Sequence, residues 1–308
     1  MIGLQTKQHE MISSKEIGQF DREGYLLVRN MLTPEQVAEL RAFFRPKFNL
    51  PAEDRLPGDT EGGLVDIFSR YPSIRWLLFH ERLIELMKAF AGDDFLLMPE
   101  SFAILNSFGR WHKDTTPWEK KSGRKIHWEK GYRMIGFAFY LQDNTEEYGG
   151  GLDVEPKSHL EPDPFISSPE WSKRPLGQRI SLKVKKMWYA CTGQHPILDA
   201  PGWDGTPYFF RRNPVKIPNK AGDLVLFDIR VNHRGSQPRQ LPVPPEHEKI
   251  LINGGFVINN RRFIQDRLDY YHSRDGCFYP KGLRYPADFL SEAEAHGIRL
   301  ATDDQGRM

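Results

Sequence analysis

From about residue 95 the chain breaks into short apolar runs, each closed by a cluster of turn residues. The runs are Phe95–Met98, Ser101–Phe108, Tyr132–Leu141, Leu152–Val154, Asp223–Phe227 and Lys249–Asn259. Tyr148-Gly149-Gly150-Gly151 and Asn219-Lys220-Ala221-Gly222 stand between them, and glycine clusters of this kind mark turns. Runs this short, rich in branched and aromatic residues, read as strands. Together they predict a mainly β chain with flanking helices and a double-stranded β-helix, or jelly-roll, core of the cupin-like kind. The 26 Gly and 23 Pro residues fit that many turns.

The first 94 residues read as a helical flank. Ser13 with Glu16, and Thr33 with Pro34 and Gln36, carry the signature of capped helix starts. Ile17 and Phe20 face inward on the first helix, Asp21 to Gly24 reads as a turn, and Tyr25-Leu26-Leu27-Val28 as a short strand. A further helix is expected to carry Trp76, Leu77, Leu83, Ile84, Met87 and Phe90, ending near Gly92. The core is expected over 95–160 and 215–260. Between them, 161–214 is rich in Pro, aromatic and basic residues and reads as an insertion or lid. The last part, 261–308, reads as an extension with a helix around Ser291–His296 and a frayed tail. The whole, 1–308, is expected to be one domain.

Several function classes drop out on composition. The net charge is +2, so nothing global draws the chain to nucleic acid. No apolar run reaches the length of a membrane span, and the polar start, Met1 to Glu10, lacks a secretory signal's apolar stretch. Cys191 and Cys277 form no CxxC pair, which removes zinc-ribbon and thiol-redox readings. Two unpaired cysteines suggest a reducing cytoplasm.

Trp111-His112-Lys113-Asp114 carries the chemistry. Residues i and i+2 of an extended chain point to one side, so His112 and Asp114 can aim a nitrogen and a carboxylate at one point. Asp223 to His233 reads as a strand with a histidine at its end, followed by Arg234-Gly235. In a sheet sandwich that end can lie beside the first pair. Two His and one carboxylate form the facial triad of non-haem iron(II) oxygenases, which leaves three positions for a 2-oxo acid and O₂.

These residues also carry a family resemblance. Phe20-Asp21-Arg22-Glu23-Gly24-Tyr25-Leu26-Leu27-Val28 with Leu32-Thr33-Pro34-Glu35-Gln36 is one stretch, and Trp111-His112-Lys113-Asp114 a second. Phe137 to Glu146 with Gly150 to His159 is a third, and Ala221-Gly222-Asp223 through His233-Arg234-Gly235-Ser236 a fourth. Together they resemble the phytanoyl-CoA dioxygenase family of iron(II)/2-oxoglutarate oxygenases over about residues 15 to 260. The resemblance implies Fe(II) held by His112, Asp114 and His233, with O₂ and 2-oxoglutarate as co-substrates and succinate and CO₂ as products. It implies hydroxylation of an unactivated carbon of a small or medium metabolite. Halogenating relatives lack the carboxylate, so Asp114 points to a hydroxylase or desaturase. His159 resembles a family turn histidine that is no ligand, though Lys157 replaces the usual Gly there.

The family's arginine for the far carboxylate of 2-oxoglutarate is missing at its usual offset. Lys249, placed by aligning its strand on Phe256, and Arg239, nearer His233, are the two candidates; a lysine binds as a point charge, not as a fork. Trp111, Trp118, Trp188 and Tyr189 are candidate substrate-lining rings, and Arg124, Lys125 and His127 can reach the entrance. Glu161 to Pro214 holds eight Lys or Arg against five Asp or Glu, a hint of an anionic substrate. Two other readings stay open: a metal-dependent jelly-roll enzyme that does not use a 2-oxo acid, and a binding protein that kept the fold without catalysis.

Overall fold

The structure, a computed structural model, describes residues 12–109, 111–162, 212–273 and 283–308, with isolated positions between 176 and 187. Both expected capping boxes form. The Ser13 hydroxyl accepts from the Glu16 amide, and Glu16 accepts from the Ser13 amide, at the start of the helix Ser14–Glu23. Thr33 and Gln36 repeat the exchange at the helix Pro34–Phe48. Such caps contribute about 1 kcal/mol each. The first helix runs through Asp21 to Glu23 and stops at Gly24, whose φ of 84° is left-handed; the turn is shorter than expected.

The helix expected from Trp76 to Phe90 is in fact two pieces, a 3-10 turn Pro72–Leu77 and an α-helix Glu81–Ala91. Leu77, Leu78 and Phe79 are consecutive and all buried. One face of an α-helix cannot bury three neighbours in a row, so the chain breaks there.

The described residues hold eleven strands: β1 (Tyr25–Val28), β2 (Gly63–Val65), β3 (Phe95–Leu97), β4 (Phe102–Leu105), β5 (Met134–Tyr140), β6 (Leu152–Glu155), β7 (Val215–Lys216), β8 (Leu224–Asp228), β9 (Asn232–Gly235), β10 (Ile250–Ile258) and β11 (Arg299–Leu300). Eight form one sheet in the order β1-β8-β5-β10-β3-β11, with β4 beside β10 and β2 beside β4. The other three form a small sheet, β7-β6-β9.

Side chains alternate across the large sheet as period 2 requires. Leu26 and Val28 of β1, Ile135, Phe137 and Phe139 of β5, and Leu224 and Leu226 of β8 face out, into a cluster with Phe20, Leu40, Phe44 and Phe68. The helical flank thus covers that face, and each large apolar side chain it buries is worth about 1.5–3 kcal/mol. Ala138 and Tyr140 of β5 and Val225 and Phe227 of β8 face in, against Leu152 and Val154 of the small sheet. That inner cluster is the floor of the jelly roll.

Asp223 to His233 is not one strand. β8 ends at Asp228, the chain turns, and β9 begins at Asn232 in the other sheet. The buried Asp228 carboxylate makes the corner: Oδ1 accepts from the Arg230 amide at 2.9 Å, and both oxygens take the Arg230 guanidinium. The tail is not frayed either. After the helix Ala287–Ala295, β11 pairs parallel with β3, and Met308 is buried. Two helices went unforeseen, Thr116–Ser122 and Arg261–Ser273. Among the described residues no helix is long and apolar enough to cross a membrane.

Candidate metal centre

The corner between β8 and β9 gathers the site. His112 and His233 exchange both main-chain hydrogen bonds, each at 2.9 Å, as an isolated antiparallel bridge. Their imidazoles therefore stand side by side, with ring centroids 4.3 Å apart. The Asp114 amide donates to the Ile229 carbonyl within the corner at 3.1 Å. Its carboxylate turns to the same side: Oδ1 lies 3.4 Å from His112 Nε2 and 3.8 Å from His233 Nε2. The intervening Lys113 points the other way and is buried, its Nζ donating to the Ser158 and Glu161 carbonyls.

One ligand atom from each of His112, Asp114 and His233 lies within 4.8 Å of the other two, the only such group among the described residues. Two imidazole nitrogens and one carboxylate oxygen suit a single divalent first-row cation. Local bonding favours the ligating forms. His233 Nδ1 lies 3.0 Å from the Val231 carbonyl, a contact that places the ring proton on Nδ1 and leaves the Nε2 lone pair free. Burial, helped by the neighbouring His112, pushes His233 down to about 4, so its ring is neutral at pH 7. For Asp114, burial opposes the charge, but His233, the His112 hydrogen bond and Arg267 outweigh it and hold the carboxyl well below its usual range.

Of the two candidate anchors for the 2-oxo acid, the structure brings Lys249 alone to this centre. Gly235 follows His233 by two residues on β9, so the two share a face. A Cβ added at Gly235 would stand 2.6 Å from Lys249 Nζ and 2.8 Å from the Ser107 carbonyl oxygen. Lys249 Nζ is thus on the same inner face as the His233 ring, one pleat (about 7 Å) further along the strand. It is buried and donates to the Ser107 carbonyl at 2.9 Å. Among the described residues no carboxylate pairs with it within 4 Å, and burial lowers its pKa to about 8 despite the more distant Asp153. Arg239 lies outward, mostly exposed and paired with Glu146 at 3.0 Å.

Tyr140 is not marked as a site residue by its sequence pattern. It ends β5, fully buried in the inner cluster, and its hydroxyl has no hydrogen-bond partner among the described residues. The Lys249 ammonium lies 6.0 Å from its ring centroid. Among the described residues, a hydroxyl without a partner and an ammonium without a carboxylate therefore share the floor of the barrel.

Other candidates are occupied elsewhere. The His159 Nε2 lies 3.1 Å from the Asp21 carbonyl, and Lys157 takes the left-handed φ of 65° that a glycine adopts freely. Trp111 is buried with the Arg234 guanidinium 5.0 Å from its ring centroid. Trp118 packs on Tyr270 in a separate cluster beside the helix Arg261–Ser273. Arg124 pairs with Asp266 and Asp269, and His127 and Lys125 face Glu119. Trp188 and Tyr189 lie outside the described residues.

The family profile described as "Phytanoyl-CoA dioxygenase (PhyH)" matches residues 20–239, which includes all three triad residues and stops short of Lys249. An ectoine dioxygenase of Nocardia farcinica is 23% identical over 253 residues, 79% of this chain and 78% of that protein. Another, of Sphingopyxis alaskensis, is 23% identical over 264 residues, 81% and 78% of the two chains. Two solved structures share the fold. EctD from S. alaskensis with 2-oxoglutarate and 5-hydroxyectoine has a TM-score of 0.52 at 19% identity, over 80% of this chain and 76% of that one. The non-heme alpha ketoglutarate dependent epimerase SnoN from nogalamycin biosynthesis has a TM-score of 0.54 at 16% identity, over 94% and 95%.

Proposed function

Because the chain belongs to the phytanoyl-CoA dioxygenase family of iron(II)/2-oxoglutarate oxygenases, we propose that it hydroxylates an unactivated carbon of a small or medium-sized metabolite, with 2-oxoglutarate converted to succinate and CO₂. His112, Asp114 and His233 would hold the iron. The observation that carries this reading is the convergence of their three donor atoms from segments over a hundred residues apart. Bound iron(II) would supply the centre at which O₂ is reduced at the expense of 2-oxoglutarate and a substrate C–H bond.

The protein's own groups do the rest. Val231 fixes the His233 tautomer, and burial keeps that ring neutral, the form a metal ligand needs. The Asp114 carboxylate offsets part of the cation's charge. Lys249 Nζ and the Tyr140 hydroxyl would take the far carboxylate of 2-oxoglutarate, whose five-carbon length matches the step from His233 to Gly235 along β9. Apolar walls from Val154, Val225 and Phe227 exclude water and strengthen that charge pairing.

The ectoine dioxygenases of Nocardia farcinica and Sphingopyxis alaskensis support a compact polar metabolite as substrate. An anionic group on it is supported by the basic excess of Glu161 to Pro214 alone. The test is anaerobic addition of iron(II) and 2-oxoglutarate, which should give a weak visible charge-transfer band that Asp114→Ala abolishes. A folded, iron-loaded protein without that band would end the proposal. Succinate release then screens for substrate, beginning with ectoine.

A further inference from the structure

Asp114 is held at both ends of its main chain. Its amide is bonded within the jelly roll, to Ile229. Its carbonyl accepts from Arg267 Nη1 at 3.0 Å, and Arg267 lies on the helix Arg261–Ser273, outside the jelly roll and beyond the family match. The rest of the guanidinium is engaged as well. Nη2 donates to Glu100 Oε2 at 2.8 Å and Nε to the Tyr271 hydroxyl oxygen at 3.0 Å. The Tyr271 hydroxyl donates to the same Glu100 oxygen at 2.6 Å. The guanidinium carbon sits 4.9 Å from the ring centroids of both Tyr270 and Tyr271.

Packing alone does not call for this arrangement. A buried ion pair loses much of its gain to desolvation, and apolar residues of similar volume often serve stability as well. What a planar five-donor fork does, and an apolar side chain cannot, is reach several acceptors in fixed directions. Two of the three acceptors, Glu100 and Tyr271, hold the fork; the third belongs to Asp114. We infer that Arg267 is a positioning residue for the metal centre, which sets the Asp114 carbonyl, and through it the direction of the carboxylate, from the C-terminal helix. This rests on the reading of His112, Asp114 and His233 as ligands.

The experiment titrates cobalt(II) into the full-length chain and its Arg267→Met, Arg267→Lys and Asp114→Ala variants, following the visible cobalt spectrum. Circular dichroism and Tm are recorded without metal. Loss of a group that orients a ligand typically weakens metal binding about 10–100-fold. That loss, with an altered cobalt spectrum, is expected for both Arg267 variants in samples that remain folded. Where Arg267→Met fails to fold, Arg267→Lys decides, since it keeps a charge opposite Glu100 but has no fork to reach Asp114. Cobalt affinity within twofold of the parent and an unchanged spectrum would overturn the inference, even if the metal-free Tm falls. Asp114→Ala separates the two levels: if it loses cobalt while the Arg267 variants bind normally, only this inference fails. If Asp114→Ala itself binds cobalt like the parent, the ligand assignment fails first.

Discussion

Lys249→Met removes a buried charge and leaves an apolar side chain of similar length. Burial lowers the Lys249 pKa from 10.5 to about 8. At 1.36 kcal/mol per unit, keeping this ammonium charged costs the ligand-free fold about 3 kcal/mol at pH 7. The folded pKa is below the unfolded one, so the cost is full below pH 8. It is relieved as pH rises towards 10.5, where the unfolded chain still binds the proton that the folded chain has released. Methionine removes the cost but leaves the Ser107 carbonyl without its donor, a loss of about 1–2 kcal/mol. The balance is a gain of about 1–2 kcal/mol, or about 2–3 °C in Tm for a chain of this size. For 2-oxoglutarate the sign reverses. A hydrogen bond to a charged group is worth about 1.5–3 kcal/mol, so the variant should bind the co-substrate about 10- to 150-fold more weakly. Differential scanning fluorimetry of the metal-free protein and anaerobic calorimetry of the iron(II) form measure the two effects. A variant that is less stable and binds 2-oxoglutarate like the parent would refute the reasoning on both counts.

The same lysine predicts a pH dependence: the dissociation constant for 2-oxoglutarate should rise towards tenfold per unit above about pH 8 as free Lys249 deprotonates, and Lys249→Met, which has no group to titrate there, should lack that limb in a calorimetric series. Gly235→Ala would push a methyl group to 2.6 Å from Lys249 Nζ and 2.8 Å from the Ser107 carbonyl. Overpacking of this kind costs about 1–3 kcal/mol, and steady-state kinetics should show KM for 2-oxoglutarate rising more than kcat falls. Far from the site, burial raises Asp66 from 3.8 to about 6. The folded chain then holds a proton that the unfolded chain has lost, so stability falls as pH climbs from 4 to 6. Asp66→Asn, which tolerates the left-handed φ of 52°, should gain about 2–3 kcal/mol at pH 7 and much less at pH 4.5, as read from Tm.

What the sequence disclosed was local or periodic. The two capping boxes need only residues three apart, and the strands of the core announce themselves by apolar runs between turns. The HxD pair follows from alternation in an extended chain. The features that escaped notice are made by tertiary contacts. Asp223 to His233 reads as one strand because its corner is built by a buried ion pair, Asp228 with Arg230, and not by glycine or proline. The helix Arg261–Ser273 buries Asp266 and Arg267 among its apolar residues, and that blurs the 3.6 period that would have revealed it. Asn260, whose side chain accepts from the Arg262 amide at 3.0 Å, was the available start signal. β5 is buried on both faces, so no alternation marked Tyr140 as facing the barrel. Arg239 and Lys249 could not be told apart by distance along the chain, because the loop between them carries the arginine outward.

These contacts divide the site into two parts that depend on different forces. The three side chains proposed as metal ligands hang on main-chain bonds: His112 with His233, Asp114 with Ile229, and Asp114 again with Arg267. Their directions are set before any cation binds. On the proposed reading, the co-substrate end depends instead on one desolvated ammonium and one hydroxyl without a partner among the described residues, groups that cost stability until a dianion satisfies them. Substitutions at 249 should therefore leave cobalt affinity unchanged while weakening 2-oxoglutarate. Substitutions at 267 should weaken cobalt first, and 2-oxoglutarate only through the cation. The division also accommodates a lysine where the family resemblance leads to the expectation of an arginine. The three metal side chains do not rely on residue 249 for their placement, and the space above Gly235, narrowed by the Ser107 carbonyl and the Phe108 Cα, suits a single ammonium better than a planar fork.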